Sequence, residues 1–548
     1  MAEGWTSLHC MLHCAPETVD EFLLGDVAPL LDQHGVDQHR ADWFFIRYGE
    51  GGPHLRIRVR GDAVCLAEPL GELAAKLPTV AGPWPSTHAA VHLVPYVPET
   101  RRYGGAAALP IAEDVFVRST QTALRAISEA PHRTARLTAA TDLAIATGLG
   151  LGMDRLGVAR WLRRHARAWQ HADEVELLPA PVVHAKVNSV YAVQRDSLVR
   201  RVEALTGPGT TAERLPGVLG DWHRVVQDAD ACLRAETGFD GSPDDGEEYR
   251  APWPWVWASQ LHMLLNRLGI VPDEERALCH LVARALLDDD EPTDFFPQDR
   301  RAPDIRYLER SKFHVGRRED SASREVALPA PATVGGTPLP GRPLPDVTLN
   351  EALTRRVCTR GALTGPLTAT DLGTLLWNSY AETHHTGQQP HRPYPSAGAL
   401  YTARLRVFAL AVDGLAPGCY EADPVQRVLR RIGALPPVHE LKALSPYFSR
   451  ALEDAFAIGL DEAPVLLGLY VDLGLLRQRY GLRALRLGLL EAGHLAQTLL
   501  LVAAALGLGC TPVNGVNDDL AHDLFSLDDL DQPLQYLLPI GRSDAVGG

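Results

Sequence analysis

The chain opens on apolar and polar positions in alternation. "SLHCMLHC", "WFFIRY" and "HLRIRVRG" each repeat with a period near two, which predicts strands with one buried face. In the third, Leu55, Ile57 and Val59 fall on one side, and Arg56, Arg58 and Arg60 on the other, where His54 joins them. "TVDEFLLGDVAPLLDQHG", "RTARLTAATDLAIATGLGLG", "VARWLRRHARAWQHA" and "SQLHMLLNRLGI" carry helical spacing instead. Strands first and helices later predict an α+β region over residues 1–316. Residues 317–348 are dense in Pro, Gly and small or charged residues without apolar periodicity, and read as a linker. Over residues 349–548, the helical stretches "LNEALTRRV", "TATDLGTLLWNSYAE" and "LRLGLLEAGHLAQTLLLVAAALG" mix with the strands "ARLRVFALAV", "VLLGLYVDLG" and "LQYLLPIGR". This second region is again α+β, with a long buried helix through its middle.

Composition narrows the function classes. At 548 residues the chain is too long for a single core. Its 53 basic and 68 acidic residues give a net charge of −15, which argues against a broad nucleic-acid or anionic-membrane surface. A local cationic site stays open. The eight cysteines never form a CxxC pair and read as reduced thiols, without a disulfide framework or a metal site. The opening "MAEGWTSLHC" has no secretory signal pattern. The apolar run "TLLLVAAALGLGC" is shorter than a bilayer requires and reads as a core helix. A cytoplasmic protein is the expectation.

The basic strand poses a chemical question. Three guanidinium groups at two-residue spacing repel one another unless something anionic lies across them; the plainer alternative is a half-buried strand with solvated arginines. Arg47 is expected to pair with Glu50.

Several motifs carry a family resemblance. Arg356-Val-Cys-Thr-Arg360 after a helix, "RPYPSAGALY", "GLAPGCYEAD", "EAGHLAQTL" and the closing "PIGR" resemble the FMN-dependent nitroreductase superfamily, and within it the SagB-type azoline dehydrogenases. The resemblance covers residues 349–548. It implies FMN, with Arg356, Arg360 and Arg542 as cations for the phosphate, because a dianion needs fixed positive charge. Cys358 stands where the family usually has Ser. The turn Pro395, Ser396, Ala397, Gly398 implies close backbone approach to the flavin, and Gln497 a further cofactor contact. "RQRYG" puts Arg479 and Tyr480 where the family has Lys-Tyr. Oxidising an azoline removes a hydride and a proton; a guanidinium is a poor base, so Tyr480 beside Arg479 becomes the candidate, the alternative being a structural tyrosine in a helix-start turn.

"WFFIRYGEGGPHLRIRVRG", "PYVPETRRYGG" and "SQLHMLLNRLGI" together resemble the thiopeptide-type bacteriocin biosynthesis family, related to the elimination domain of lantibiotic dehydratases. The resemblance implies elimination of glutamate from glutamylated Ser or Thr, with Arg56, Arg58 and Arg102 on the carboxylates and His262 as base or acid. A buried core histidine and a solvated Arg101-Arg102 pair are the alternatives. The two-region layout resembles bifunctional enzymes of lactazole-type thiopeptide biosynthesis. It implies a precursor peptide as substrate, separate glutamylating and cyclodehydrating enzymes as partners, and a homodimer through residues 349–548. A pyridine synthase or a noncatalytic peptide-binding module remain alternatives for the first region, and a general NAD(P)H-dependent nitro or quinone reductase for the second.

Overall fold

The computed structural model describes residues 4–33, 42–50, 52–61, 64–78, 91–169, 175–207, 215–237, 253–288, 302–312, 335–387 and 389–543. Contacts divide the chain into two compact units, Met1–Leu178 with Ala185–Glu291, and Pro179–His184 with Pro292–Gly548. Both mix helices and sheet.

In the first unit four strands form one antiparallel sheet. They are β1 (Trp5–Met11), β2 (Trp43–Tyr48), β3 (His54–Arg60) and β4 (Val91–Val94), in the order β2-β3-β1-β4. The alternation read from the chain sorts the two faces. Leu8, Cys10, Phe45, Leu55, Ile57 and Val59 turn to an apolar layer with Phe22, Leu23, Val27, Leu66 and Leu70. The opposite face carries His9 opposite Arg56, with His92 on its other side. Helices complete the unit: Leu109–Glu129, Arg133–Gly150, Arg155–Ala168, the part of Ala180–Thr206 from Ala185 onward, Gly217–Thr237, Trp253–Arg267 and Pro272–Leu287. Their core gathers Leu143, Trp161, Leu162, Trp222, Trp257, Leu261, Leu264 and Val282.

The second unit is built on a seven-stranded antiparallel sheet. Its order runs Gly509–Cys510, Leu534–Gly541, Val465–Val471, Ala403–Ala409, Gly418–Asp423, Val428–Gly433, Thr337–Pro338. The interior strand Val465–Val471 is buried along its whole length. Val465, Leu467, Leu469 and Val471 face one apolar cluster, while Leu466 and Tyr470 face another built on Phe408, Phe448 and Phe525. Cover on both faces is why this strand reads as a continuous apolar run.

The first cluster is completed by the long helix Ala484–Ala505 through Ala492, Leu495, Ala496, Leu499 and Ala503. This helix is longer than the apolar run alone predicts. Together with the helix Leu473–Tyr480 and the turn between them, Leu473–Ala505 is the one stretch among the described residues long and apolar enough to cross a membrane, and just over half of its most apolar window is buried in the fold. Residues 313–334, most of the expected linker, lie outside the described residues. Residues 335–348 pack on the second unit: Leu339 is buried, and its carbonyl accepts from Trp377 Nε1 at 2.7 Å. All eight cysteines are free thiols.

Candidate functional sites

On the sheet face of the first unit each arginine meets an aromatic ring, and Arg60 also a carboxylate. Arg56 lies 3.3 Å from the centre of the Tyr48 ring and donates through Nε to His54 Nε2 at 3.2 Å. Arg58 sits between the Phe44 and Tyr96 rings, with its Nε buried and without a hydrogen-bond partner among the described residues. Arg60 pairs with Asp42 at 2.8 Å over the Trp5 ring. The rings lessen the repulsion while the charges of Arg56 and Arg58 remain. Arg47 is structural, but its partner is Asp20 rather than Glu50, which instead accepts from Tyr48. Arg136 shares that aspartate.

The same face repels a further proton. Burial first, then the charges of Arg56, His54, Arg58 and His92, pull His9 from 6.5 to about 4. Below the ordinary histidine value the unfolded chain takes up a proton that the fold refuses, so stability falls as pH drops from about 6.5 to about 4. A first-unit melting temperature that declines between pH 7 and pH 5, and declines less in His9→Gln, is the expected result.

Arg102 and His262 meet in one cavity of about 270 Å³. Trp255, Ala258, Ser259 and His262 recur every three or four residues on the Trp253–Arg267 helix and form one wall. His165, Ala168 and Trp169 form another, and Arg102 closes the third side. Arg102 donates through Nε to Ser259 Oγ at 3.1 Å and through Nη1 to Glu99 at 3.1 Å. The His262 ring stands edge-on to Trp169 with centres 4.8 Å apart. Its Nδ1 lies 2.9 Å from Glu275, a fully buried carboxylate. Arg56 and Arg58, on β3, are not among the residues that line this cavity. A wider groove of about 820 Å³ runs between the Leu109–Glu129 and Gly217–Thr237 helices, but Arg125, Asp221 and Arg224 on its walls pair with one another.

In the second unit the Pro395–Gly398 turn is tightly determined. Ser396 Oγ donates to Glu491 at 2.7 Å and accepts from the Tyr401 N–H at 2.8 Å, so this hydroxyl holds the turn itself. Glu491 also accepts from Ala403 N at 2.8 Å and Thr402 Oγ1 at 3.2 Å. Burial raises its carboxyl despite those donors. Ala399 and Tyr401 both adopt left-handed backbone, at φ 54° and 48°, a cost this network sustains.

Gly398 lies against Arg479 and Tyr480. A Cβ there would stand 2.6 Å from Tyr480 Oη and 3.2 Å from Arg479 Nη1, and its φ is +61°. Gly398→Ala is therefore expected to cost about 1–3 kcal/mol, visible as a lower melting temperature of the second unit. Tyr480 ends the Leu473–Tyr480 helix, with Gly481 at φ +53° after it, rather than opening the next one.

Arg356 caps the Leu349–Arg355 helix, and the segment after it carries Cys358, 3.9 Å from Arg356 Nη1. Arg356 and Thr359 border a small concavity with Leu500, Ala504 and Cys510. Gln497 is exposed on the long helix, one turn before Leu500. Arg360 lies 5.9 Å from the Tyr447 ring centre, and Arg542 Nε donates to the Pro366 carbonyl at 3.1 Å. None of Arg356, Arg360 and Arg542 has a carboxylate partner among the described residues.

Glu275, His165 and Glu491 were not among the residues expected to matter. A usable signal was present. Glu275 shares a helical stripe with Leu278, Cys279, Val282 and Leu286, and Glu491 one with Gly488, Ala492, Leu495 and Leu499. A lone carboxylate in an apolar stripe must find donors inside the fold.

The chain joins a unit of the dehydratase class to a unit of the nitroreductase class. The family described as lantibiotic biosynthesis dehydratase C-term matches residues 5–286, and the nitroreductase family matches residues 353–542. The chain belongs to the first family through its N-terminal unit and to the second through its C-terminal unit. A relative named as a nitroreductase, MJ1384 of Methanocaldococcus jannaschii, is 31% identical over 202 residues, which are 36% of this chain and 94% of that protein. Among solved structures, the pyridine synthase TbtD from thiomuracin biosynthesis is 20% identical, with a TM-score of 0.41, over 52% of this chain and 97% of that one. The tRNA-dependent lantibiotic dehydratase MibB from Microbispora sp. 107891 is 24% identical, with a TM-score of 0.35, over 52% of this chain and 28% of that one.

Proposed function

We propose that the chain is a bifunctional tailoring enzyme of a ribosomally made precursor peptide. The first unit eliminates glutamate from glutamylated Ser or Thr to leave a dehydroamino acid. The second oxidises thiazolines or oxazolines to azoles with FMN. The observation that carries the reading is the cavity that gathers a guanidinium, Arg102, and an imidazole, His262, from distant segments of a dehydratase-type unit. Elimination needs that pair: a base for the Cα proton and a fixed cation for the carboxylate that leaves. Arg58 and Arg56 extend positive charge along β3 for the carboxylate that the substrate retains.

For the second unit, Arg356, Arg360 and Arg542, which have no carboxylate partner among the described residues, fit a phosphate. FMN, when bound, supplies the hydride acceptor. Tyr480 would then take the proton from the neighbouring carbon of the azoline. A homodimer fits the apolar surface of this unit: Leu349, Leu353 and Val357 are exposed, as are Leu489 and Leu490 on the helix that packs against that segment.

Reaction with a glutamylated peptide tests the first unit. Free glutamate with a dehydroamino acid supports elimination; a macrocycle would make the unit a pyridine synthase, and binding without turnover a peptide-presenting module. For the second unit, loss of two hydrogens from an azoline peptide in air without nicotinamide supports the dehydrogenase, and a strict need for NAD(P)H with nitro or quinone acceptors overturns it.

A further inference from the structure

The cavity beside His262 contains more chemistry than one base. Glu275 is 0% exposed, yet among the described residues neither oxygen meets a guanidinium. Oε1 accepts from His165 Nε2 at 2.5 Å and from Trp169 Nε1 at 3.2 Å, while Oε2 accepts from His262 Nδ1 at 2.9 Å. The neighbouring Arg276 turns away to Asp273 and the Leu178 carbonyl. Burial by itself would raise the Glu275 carboxyl, but the charges of His262 and His165 and their hydrogen bonds outweigh it and hold it below the usual carboxylate range. A carboxylate dehydrated this fully is costly unless its partners need it. Here every partner is a wall of the same cavity.

We propose that Glu275 and His165 are positioning residues that make His262 the reacting base, an assignment that rests on the elimination reading above. Glu275 fixes the Nδ1–H tautomer of His262, so that Nε2 keeps its lone pair on a ring that lines the cavity. Nε2 removes the Cα proton of the glutamylated residue. The C–H electron pair becomes the Cα=Cβ bond, the Cβ–O bond breaks, and glutamate leaves with that bonding pair as its carboxylate. The proton ends on His262, whose new charge faces Glu275, and then passes to water. His165 holds the second oxygen of Glu275, which keeps the carboxylate plane turned toward His262.

The test uses the full chain as wild type, Glu275→Gln, His165→Asn and the double variant, each checked by circular dichroism. Glutamate release from a glutamylated peptide and 15N-imidazole NMR are the readouts. Neutralising a carboxylate that orients a catalytic histidine lowers turnover by up to ~10⁴-fold in the serine-protease triad, so kcat is expected to fall ~10²–10⁴-fold in Glu275→Gln with KM little changed. His165→Asn falls less, and the double variant is no worse than Glu275→Gln, because the two act through one carboxylate. NMR shows His262 protonated at Nδ1 in the wild type, and this tautomer is lost in Glu275→Gln. Unchanged kcat in the folded variants, multiplying losses, or an Nε2–H tautomer in the wild type overturns the assignment. If Glu275→Gln does not fold, His165→Asn and the wild-type tautomer decide. A wild type that shows the Nδ1–H tautomer but releases no glutamate sinks the elimination reading and leaves the positioning of His262 standing.

Discussion

His262→Ala lowers glutamate release by ~10²–10⁴-fold, the usual contribution of a general base, while the same preparation still converts an azoline peptide to the azole. The magnitude follows from position. His262 lines the cavity with Arg102 and Ser259, and no other imidazole there has its free nitrogen defined by a buried carboxylate bound through Nδ1. Release and azole formation are measured on one sample by mass spectrometry, so the second activity serves as the control for preparation quality. A variant that releases glutamate at the wild-type rate removes His262 from the mechanism. Parallel loss of both activities would instead mean that the substitution disturbs the whole chain.

Tyr480→Phe lowers azole formation by ~10²-fold or more and leaves bound FMN in place. The phenol oxygen lies where a side chain on Gly398 would begin, so Tyr480 borders the turn on which the flavin ring is expected to rest. Phe keeps the ring and removes only the proton acceptor. Flavin absorbance at wild-type stoichiometry, with turnover lost, separates a proton-transfer role from a packing role. Turnover unchanged in Tyr480→Phe would leave the tyrosine structural, and Arg479→Lys then becomes the informative variant, because an amine can act as a base where a guanidinium cannot.

Much of the fold was legible because it follows period. The alternation in "HLRIRVRG" put the arginines on one face of β3, and the uninterrupted "VLLGLYV" marked a strand covered on both sides. What period could not show is how that basic face is compensated. Tyr48, Phe44, Tyr96 and Asp42 come from other strands and loops, and only strand pairing brings them to Arg56, Arg58 and Arg60. The sites divide in the same way. Arg102 and His262 were singled out by motif, and the fold joins them in one cavity. Glu275 escaped notice because "PDEERALC" reads as an acidic first turn that complements a helix dipole, although its third acid lies on the buried stripe. Glu491 was hidden inside an apolar helix, yet it holds the turn that the motif made visible.

The most direct test is one peptide bearing both a thiazoline and a glutamyl-serine, incubated with the full chain in air and followed by intact mass. A single product is expected to accumulate, lacking two hydrogens and the glutamate, with free glutamate in solution and no nicotinamide required. A peptide recovered with its glutamyl ester intact, or oxidised only when NAD(P)H is supplied, would contradict it.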